Sequence, residues 1–386
     1  MEVTIKELGE IITGNTPSKK TEEFWNSEDI CFVKPDIISE NGINEIFESN
    51  EYISEEAKKK ARVVSKDSIF ITCIGSIGKI GIALDGEYAF NQQINAIIPN
   101  DKILPKYLAY NLLYNRSRLI SIANAPVVPI INKSQFSDFA INIDSNKNKQ
   151  LEIVNVLDKL TYIIELRNDE LSALDDLIKA RFVELFENGD YKTEKLGSVC
   201  TKITDGTHKT PTYLDEGITF ISAKNIVNGE LDFSDVKHIS GEEYQEIQKR
   251  CQTAIYDILL SKSGSLGAPV IIKTEEKLGL FESLAVIKYD REKLLPEFLC
   301  EQLKTDRIQR QFTTGTKGVA IKHLHLGVIA ETDVIVPPIE EQRQFADFVK
   351  QVDKSKFQKY NATILSHNIY VFETRRRFIC KPTLII

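Results

Sequence analysis

The sequence predicts an α+β protein: two β-rich domains joined by long coiled-coil helices. Three observations predict it. The two halves of the chain repeat one plan at an offset near 190 residues, each half contains short β-rich runs bounded by turn residues, and between the halves lies a segment whose apolar residues keep a heptad seam. A chain of 386 residues has room for two or three domains at roughly 100–200 residues each. It can bury sizeable cores without disulfide staples.

The repeat comes first because it fixes the domain plan. Leu8-Gly9 recurs as Leu196-Gly197, and residues 30–33 (ICFV) recur as 218–221 (ITFI), both 188 residues on. Gly75-Ser76-Ile77-Gly78 recurs as Gly264-Ser265-Leu266-Gly267 at 189. Residues 104–108 (LPKYL) recur as 295–299 (LPEFL) at 191, and Gln150, Ile153 and Leu157 as Gln342, Phe345 and Val349 at 192. Ordered matches with so little drift mark a duplicated half, and the period is too long for a solenoid.

Within the halves, residues 67–74, 268–273 and 284–289 are β-rich and bounded by Gly, Asn and Asp, which reads as strands joined by turns. Helices follow the Leu-Pro pairs at 106–117 and 297–310, since a proline near the first turn lacks only an N–H that would be unpaired there. From 147 to 187 there is neither proline nor glycine. Ile153, Leu157, Leu160, Ile164, Leu171, Leu174, Ile178 and Leu185, with Arg167 and Arg181, fall at alternating steps of four and three. This predicts a long helix with a coiled-coil seam, reaching about 57 Å over roughly 38 residues. Its six basic and nine acidic residues do not suit a helix that grips DNA. After Pro337-Pro338, residues 339–356 are helical in character. Gln342, Phe345, Val349 and Val352 keep the seam, but Lys356 and Lys359 then occupy seam positions while Phe357, Tyr360 and Ile364 lie one residue out of step. That reads as a break in the repeat. The expected boundaries are 1–146 for the first domain, 147–189 for the central helix, 190–337 for the second domain, and 338–386 for a C-terminal helix with an atypical tail.

Net charge is −7, from 49 basic and 56 acidic residues. Taken alone this disfavours nucleic acid, whose phosphates need Lys and Arg, although a local patch can be basic within an acidic chain. The cysteines Cys31, Cys73, Cys200, Cys251, Cys300 and Cys380 are scattered with no Cys-x-x-Cys pair, which fits a reducing compartment rather than a zinc ribbon or a disulfide scaffold. With no apolar signal core and no long apolar run, the expectation is a cytoplasmic protein without a membrane span.

Catalytic signatures are missing. There is no Walker loop, no His-Glu-x-x-His, and no nucleophile signature around a Ser or Cys. Gly75-Ser76-Ile77-Gly78-Lys79 has the wrong spacing for a phosphate loop and reads as a glycine-rich hairpin, shared by both halves. His323 and His325 would share one face of a strand, but two histidines alone make a poor metal site. Pro35-Asp36 with Glu40 only loosely echoes a nuclease carboxylate pair. Val336-Pro337-Pro338-Ile339 lacks the flanking amide and aromatic of an amino-methyltransferase motif.

What remains is recognition chemistry. Expected loops carry amides, hydroxyls and cations: Asn15, Thr16, Lys19 and Lys20; Ser76 and Lys79; Asn91 and Gln92; Thr207, His208 and Lys209; Lys224 and Asn225; Ser265; and Thr316 and Lys317. Asn and Gln can bond adenine bidentately, Lys can reach guanine, and hydroxyls serve phosphates or bases.

Two unlike copies of a β-rich domain, each followed by a long helix, resemble the specificity subunit of type I restriction–modification systems. The resemblance covers nearly the whole chain. It is carried by residues 6–17 (KELGEIITGNTP), 177–186 (LIKARFVELF), 218–226 (ITFISAKNI) and 336–342 (VPPIEEQ). It implies that each β-rich unit is a target-recognition domain reading one half of a split, asymmetric site in double-stranded DNA. It also implies that the long helices pack antiparallel and fix the unread spacer. The implied partners are two modification (methyltransferase) subunits, which would methylate adenine using S-adenosylmethionine, and restriction subunits acting as ATP-dependent translocase and nuclease. No cofactor is expected in this chain. The sequence departs from the family in its tail, where nothing after Tyr360 matches the Lys-Ala-Arg-Phe-x-x-Leu-Phe end of the first helix. The other readings are a stand-alone sequence-specific or architectural DNA-binding protein, a fragment of a fused restriction–methyltransferase, and a coiled-coil scaffold unrelated to DNA.

Overall fold

A computed structural model describes residues 1–123, 128–187, 189–314 and 323–378. The chain forms two compact units, Met1–Arg167 with the chain from Ala362 onward, and Asn168–Asn361.

The first unit is built on two sheets. A five-stranded sheet runs in the order Gly9–Thr13, Ile94–Pro99, Ile69–Thr72, Ile80–Ala83, Ile43–Ile46, and a four-stranded one in the order Tyr52–Ile53, Ile30–Val33, Glu87–Phe90, Val63–Ser65. The strands Ile69–Thr72 and Ile80–Ala83 are buried along their whole length, which explains their continuous apolar sequence. One face of the larger sheet packs under the helix Pro105–Tyr114, with Tyr107, Leu108 and Leu112 in the core. Phe70, Tyr88, Phe90 and Val33 form a second core.

The second unit repeats this frame. Its sheets run Cys200–Asp205, Leu284–Tyr289, Ile258–Ser261, Pro269–Ile271, and Lys237–Ile239, Ile218–Ile221, Leu278–Leu280. Lys237–Ile239 pairs with Ile218–Ile221 as Tyr52–Ile53 pairs with Ile30–Val33, and the helix Gly241–Arg250 that follows it replaces the first unit's short turn Ala57–Lys59. In each unit the first strand pairs antiparallel with the last: Glu2–Thr4 with Ala140–Asn142, and Thr193–Lys195 with Asp333–Ile335.

The helices expected at 106–117 and 297–310 are each two helices, Pro105–Tyr114 with Arg116–Ser121, and Pro296–Lys304 with Asp306–Thr314. The break falls on a residue whose side chain bonds back to the preceding turn. Asn115 Nδ2 donates to the Asn111 carbonyl at 2.9 Å, and Thr305 Oγ1 to the Gln302 carbonyl at 2.8 Å; such local bonding competes with helix continuation.

The first long helix is Lys147–Phe182, closed by a π-helical turn at Val183–Glu187. Its seam is where the spacing put it: Leu160, Ile164, Arg167, Leu171 and Leu174 are half-buried, and Ile153, Leu157 and Ile178 are buried. The wide final turn sets Phe182 and Phe186 on one core, ring centres 5.2 Å apart.

The expected break after Lys356 does not occur. The second long helix runs unbroken over Ile339–Phe378, and its seam continues through Lys356, Lys359, Thr363, Ser366, Tyr370 and Thr374 to Phe378, all half-buried or buried. Phe357, Tyr360 and Ile364 are exposed instead. The lysines fit because their stems lie along the seam while their ammonium groups reach carboxylates: Lys356 Nζ is 2.6 Å from Asp175, and Lys359 Nζ 2.7 Å from Glu170. Residue numbers rise along one helix as they fall along the other, so the pair is antiparallel within this unit. The tail also has its counterpart. Phe378 is buried in the first unit with its ring 5.4 Å from Tyr107, as Phe182 lies 5.4 Å from Phe298 in the second.

Each long helix is fastened to its unit by a buried glutamine. Gln150 Oε1 accepts from the Leu104 N–H at 2.8 Å, and its amide donates to the Lys102 and Asp144 carbonyls. Gln342 does the same with Leu295, at 2.9 Å, and with Lys293 and Pro337. About two turns further on, an ion pair joins helix to unit with its charges reversed between the copies: Lys106 to Asp158 at 3.2 Å, and Glu297 to Lys350 at 3.5 Å.

Replacing Gln150 or Gln342 by Leu orphans buried backbone groups, so each substitution is expected to cost about 1–3 kcal/mol in chemical denaturation. Lys356→Ala, which removes a half-exposed pair, is expected to cost less than about 1 kcal/mol.

Candidate nucleic-acid interface

The expected recognition loops begin at a glycine that the backbone requires. A Cβ on Gly14 would lie 2.2 Å from the Asn91 carbonyl oxygen, and one on Gly206 would lie 2.2 Å from that of Leu280. Past the glycine, the Asn15 N–H donates to the Phe90 carbonyl at 2.9 Å and the Thr207 N–H to the Leu280 carbonyl at 2.8 Å. The Gly75–Gly78 and Gly264–Gly267 segments are hairpin turns with left-handed glycines at both ends. Thr72 Oγ1 bonds the Ser76 carbonyl, and Ser261 Oγ the Ser265 carbonyl. Ser76 and Ser265 sit exposed at the two turn tips.

In the first unit, Asn15 is engaged with backbone. Its Nδ2 donates to the Lys60 carbonyl at 2.6 Å and its Oδ1 accepts from the Arg62 N–H at 2.8 Å. Thr16 Oγ1 donates to Gln92 Oε1 at 2.9 Å. Lys19 lies over the Trp25 ring at 5.1 Å and 3.4 Å from Glu51. Glu51 is held below the usual carboxylate range first by its bond to Lys34. Lys20 is exposed. Lys79 is mostly buried, donating to the Pro35 carbonyl at 3.1 Å and paired with Glu40 at 3.4 Å. Glu40 is held low chiefly by Arg116. Asn91 is buried and bonded to Gln93.

In the second unit, Thr207 closes a small turn on Lys209, and Lys209 is exposed. His208 Nδ1 is 2.6 Å from Glu282 Oε2, and its Nε2 is 3.3 Å from both Asp205 Oδ2 and an Arg250 guanidinium nitrogen. Asp205 is buried and pairs with the buried Lys262 and with Arg250. Burial pushes the Asp205 carboxyl up, but Lys262, Arg250 and His208 outweigh it and hold it below the usual range. Lys224 pairs with Asp235 at 3.0 Å. Asn225 is buried, its amide bonded to the Asp232 and Asp235 carbonyls. Thr316 and Lys317 lie outside the described residues. His323 and His325 are not on a strand: they lie in irregular chain with rings 5.7 Å apart, and His325 leads into the helix Leu326–Ala330. Burial, then Lys262, lowers the His323 pKa.

The structure thus brings together Asn15, Thr16 and Gln92 in one unit, and Thr207, His208 and Lys209 in the other. It adds residues that the sequence reading passed over. The Lys58-Lys59-Lys60-Ala61-Arg62 run lies against the Asn15 loop, with Arg62 donating to the Thr13 carbonyl. Arg250, from a helix end, reaches Asp205, which ends the strand equivalent to Gly9–Thr13. The lysine run was visible as a charge cluster. Arg250 had no local signal, since only tertiary folding places it.

Thr13 and Cys73 occupy the first-unit positions of Asp205 and Lys262, as the Cys73 N–H to Gln93 and Lys262 N–H to Ser283 bonds, both 2.7 Å, show. Lys262→Ala should therefore destabilise by about 3–5 kcal/mol, as breaking a buried pair does. The double substitution Asp205→Thr with Lys262→Cys should cost far less in the same denaturation experiment. The lowered Asp205 pKa contributes stability above about pH 4 that is lost as pH falls. The double variant should lose correspondingly less on acidification.

Comparison with known proteins agrees with this geometry. The chain is 24% identical to the Type I restriction enzyme MjaIX specificity subunit of Methanocaldococcus jannaschii over 380 residues, covering 90% of this chain and 85% of that one. It is 30% identical over 195 residues to the EcoR124I/EcoR124II specificity subunit of Escherichia coli, covering 45% and 47% of the two chains. A structure described as the type I restriction–modification S subunit from M. genitalium matches with TM-score 0.50 at 17% identity, over 99% of this chain and 96% of that one. Another, from a study of complex assembly and conformational transition of the type I system, matches with TM-score 0.56 at 14% identity, over 98% and 97%. The family profile described as "Type I restriction modification DNA specificity domain" matches residues 1–175 and 188–365, and the chain belongs to that family.

Proposed function

We propose that this chain is the DNA-reading subunit of a type I restriction–modification complex, each unit reading one half of a split, asymmetric duplex target. One observation carries the reading: two units share a backbone frame at the loops Asn15–Lys20 and Thr207–Thr210, yet present different side chains there. A common frame with divergent tips is what two readers of different half-sites need. Phosphate contacts fall to exposed cations around the loops, Lys19, Lys20, Lys59, Lys60, Lys209 and Lys249, so that local charge serves where the net charge does not. The long helices fix the unread spacer. The chain itself carries no catalysis: two modification subunits supply S-adenosylmethionine-dependent adenine methylation, and restriction subunits join them.

Methylome sequencing of the host with and without this gene tests the reading, with loss of a bipartite methylated motif as the expected result. Exchanging residues 1–146 for another member's first domain should change one half of that motif and leave the other intact.

The second long helix supports partner docking. Ile364, Leu365, Ile369 and Phe372 are exposed on one helix at helical spacing, and clustered apolar exposure marks an interaction surface. The double variant Ile369→Glu with Phe372→Glu should leave thermal stability nearly unchanged while removing co-purifying subunits, as read by size-exclusion chromatography.

A further inference from the structure

We propose that the Thr16–Gln92 pair and the His208–Glu282 pair are one device used twice: a cross-loop clamp that positions the reading loop of its own unit and sets fidelity at that half-site alone. This rests on the DNA-reading assignment above.

The equivalence comes from the backbone. Gly14 and Gly206 donate to Ile94 and Leu284, and the next residues donate to Phe90 and Leu280. Thr16 and His208 are both two residues past their glycine. Gln92 and Glu282 are both two residues past their acceptor. At these matched places each unit has a side-chain contact between the loops, 2.9 Å in the first and 2.6 Å in the second. The chemistry differs completely: a neutral hydroxyl–amide bond in one, an imidazole–carboxylate bond in the other. A contact kept while both partners change is selected for joining the loops, not for its residues.

Its position says what it controls. The backbone is pinned through Asn15 and Thr207, just before the clamp residues, whereas Ser18, Lys19 and Lys20, or Lys209 and Thr210, lie exposed beyond the clamp. The clamp is a side-chain tie at the root of the exposed stretch, so its loss lets the tip wander without unfolding the unit. In the second unit His208 also faces Asp205 and Arg250. Asp205 keeps Lys262 and Arg250 as partners when His208 is removed.

The test uses the full chain, affinity-purified from its host with whatever subunits accompany it, and a randomised duplex DNA library sequenced after selection. The domain exchange above assigns each half of the consensus to a unit. Thr16→Val should blur the first unit's half only, and Glu282→Leu the second unit's half only, each by about 5- to 10-fold in enrichment over mismatched sequences, as loss of one hydrogen bond allows. Glu282→Gln keeps a side-chain oxygen that can accept from the His208 ring and should keep that half sharp where Glu282→Leu blurs it, which a merely structural role would not predict. If the parent enriches no bipartite consensus, the DNA-reading assignment falls and takes this inference with it. If the parent does so but Thr16→Val and Glu282→Leu leave both halves sharp, or blur both together, or Glu282→Gln blurs the second half as much as Glu282→Leu, the clamp is overturned.

Discussion

A buried side-chain amide bonded to three backbone groups fixes where each long helix begins. Gln150 and Gln342 are fully buried, and each satisfies one N–H and two carbonyls at the corner where strand, Leu-Pro helix and long helix converge. Carbonyls and N–H groups at such a corner have no sheet or helix partner, and leaving them dry and unpaired would be costly. A residue that answers all three leaves the helix a single entry angle. The reversed ion pairs, farther along each helix against the same unit, follow from that entry.

The same economy governs the loops. Backbone bonds and obligatory glycines define a frame that does not depend on which residues stand at the tips. The polar interior can then vary: where the first unit holds Thr13, Asn95 and Cys73 in a neutral cluster, the second holds Asp205 and Lys262 as a buried ion pair. A duplicated fold can tolerate such divergence because each cluster is complete within itself.

Much of this was legible in the sequence. The offset repeat gave two units, the four-three spacing gave the first seam residue by residue, and the paired glycine motifs gave the hairpins. The second seam was not legible, because Lys356 and Lys359 are charged in sequence yet lie along the seam through their stems. The roles of Asn15, Asn91 and Asn225 were not legible either. An amide in a loop looks the same whether it faces solvent or bonds its own backbone, and here all three bond within the fold. Glu282 and Arg250 emerge only once distant segments meet.

The reversed ion pairs carry a consequence for how such genes diversify. Lys106 with Asp158, and Glu297 with Lys350, work like keyed connectors between a head and its stalk. Crossing the first head onto the second stalk would set Lys106 against Lys350, and the reverse crossing would set Glu297 against Asp158. Shuffling within one gene is therefore disfavoured at this joint. Two heads of common ancestry can evolve apart in what they read while the joint keeps each in its own place along the chain.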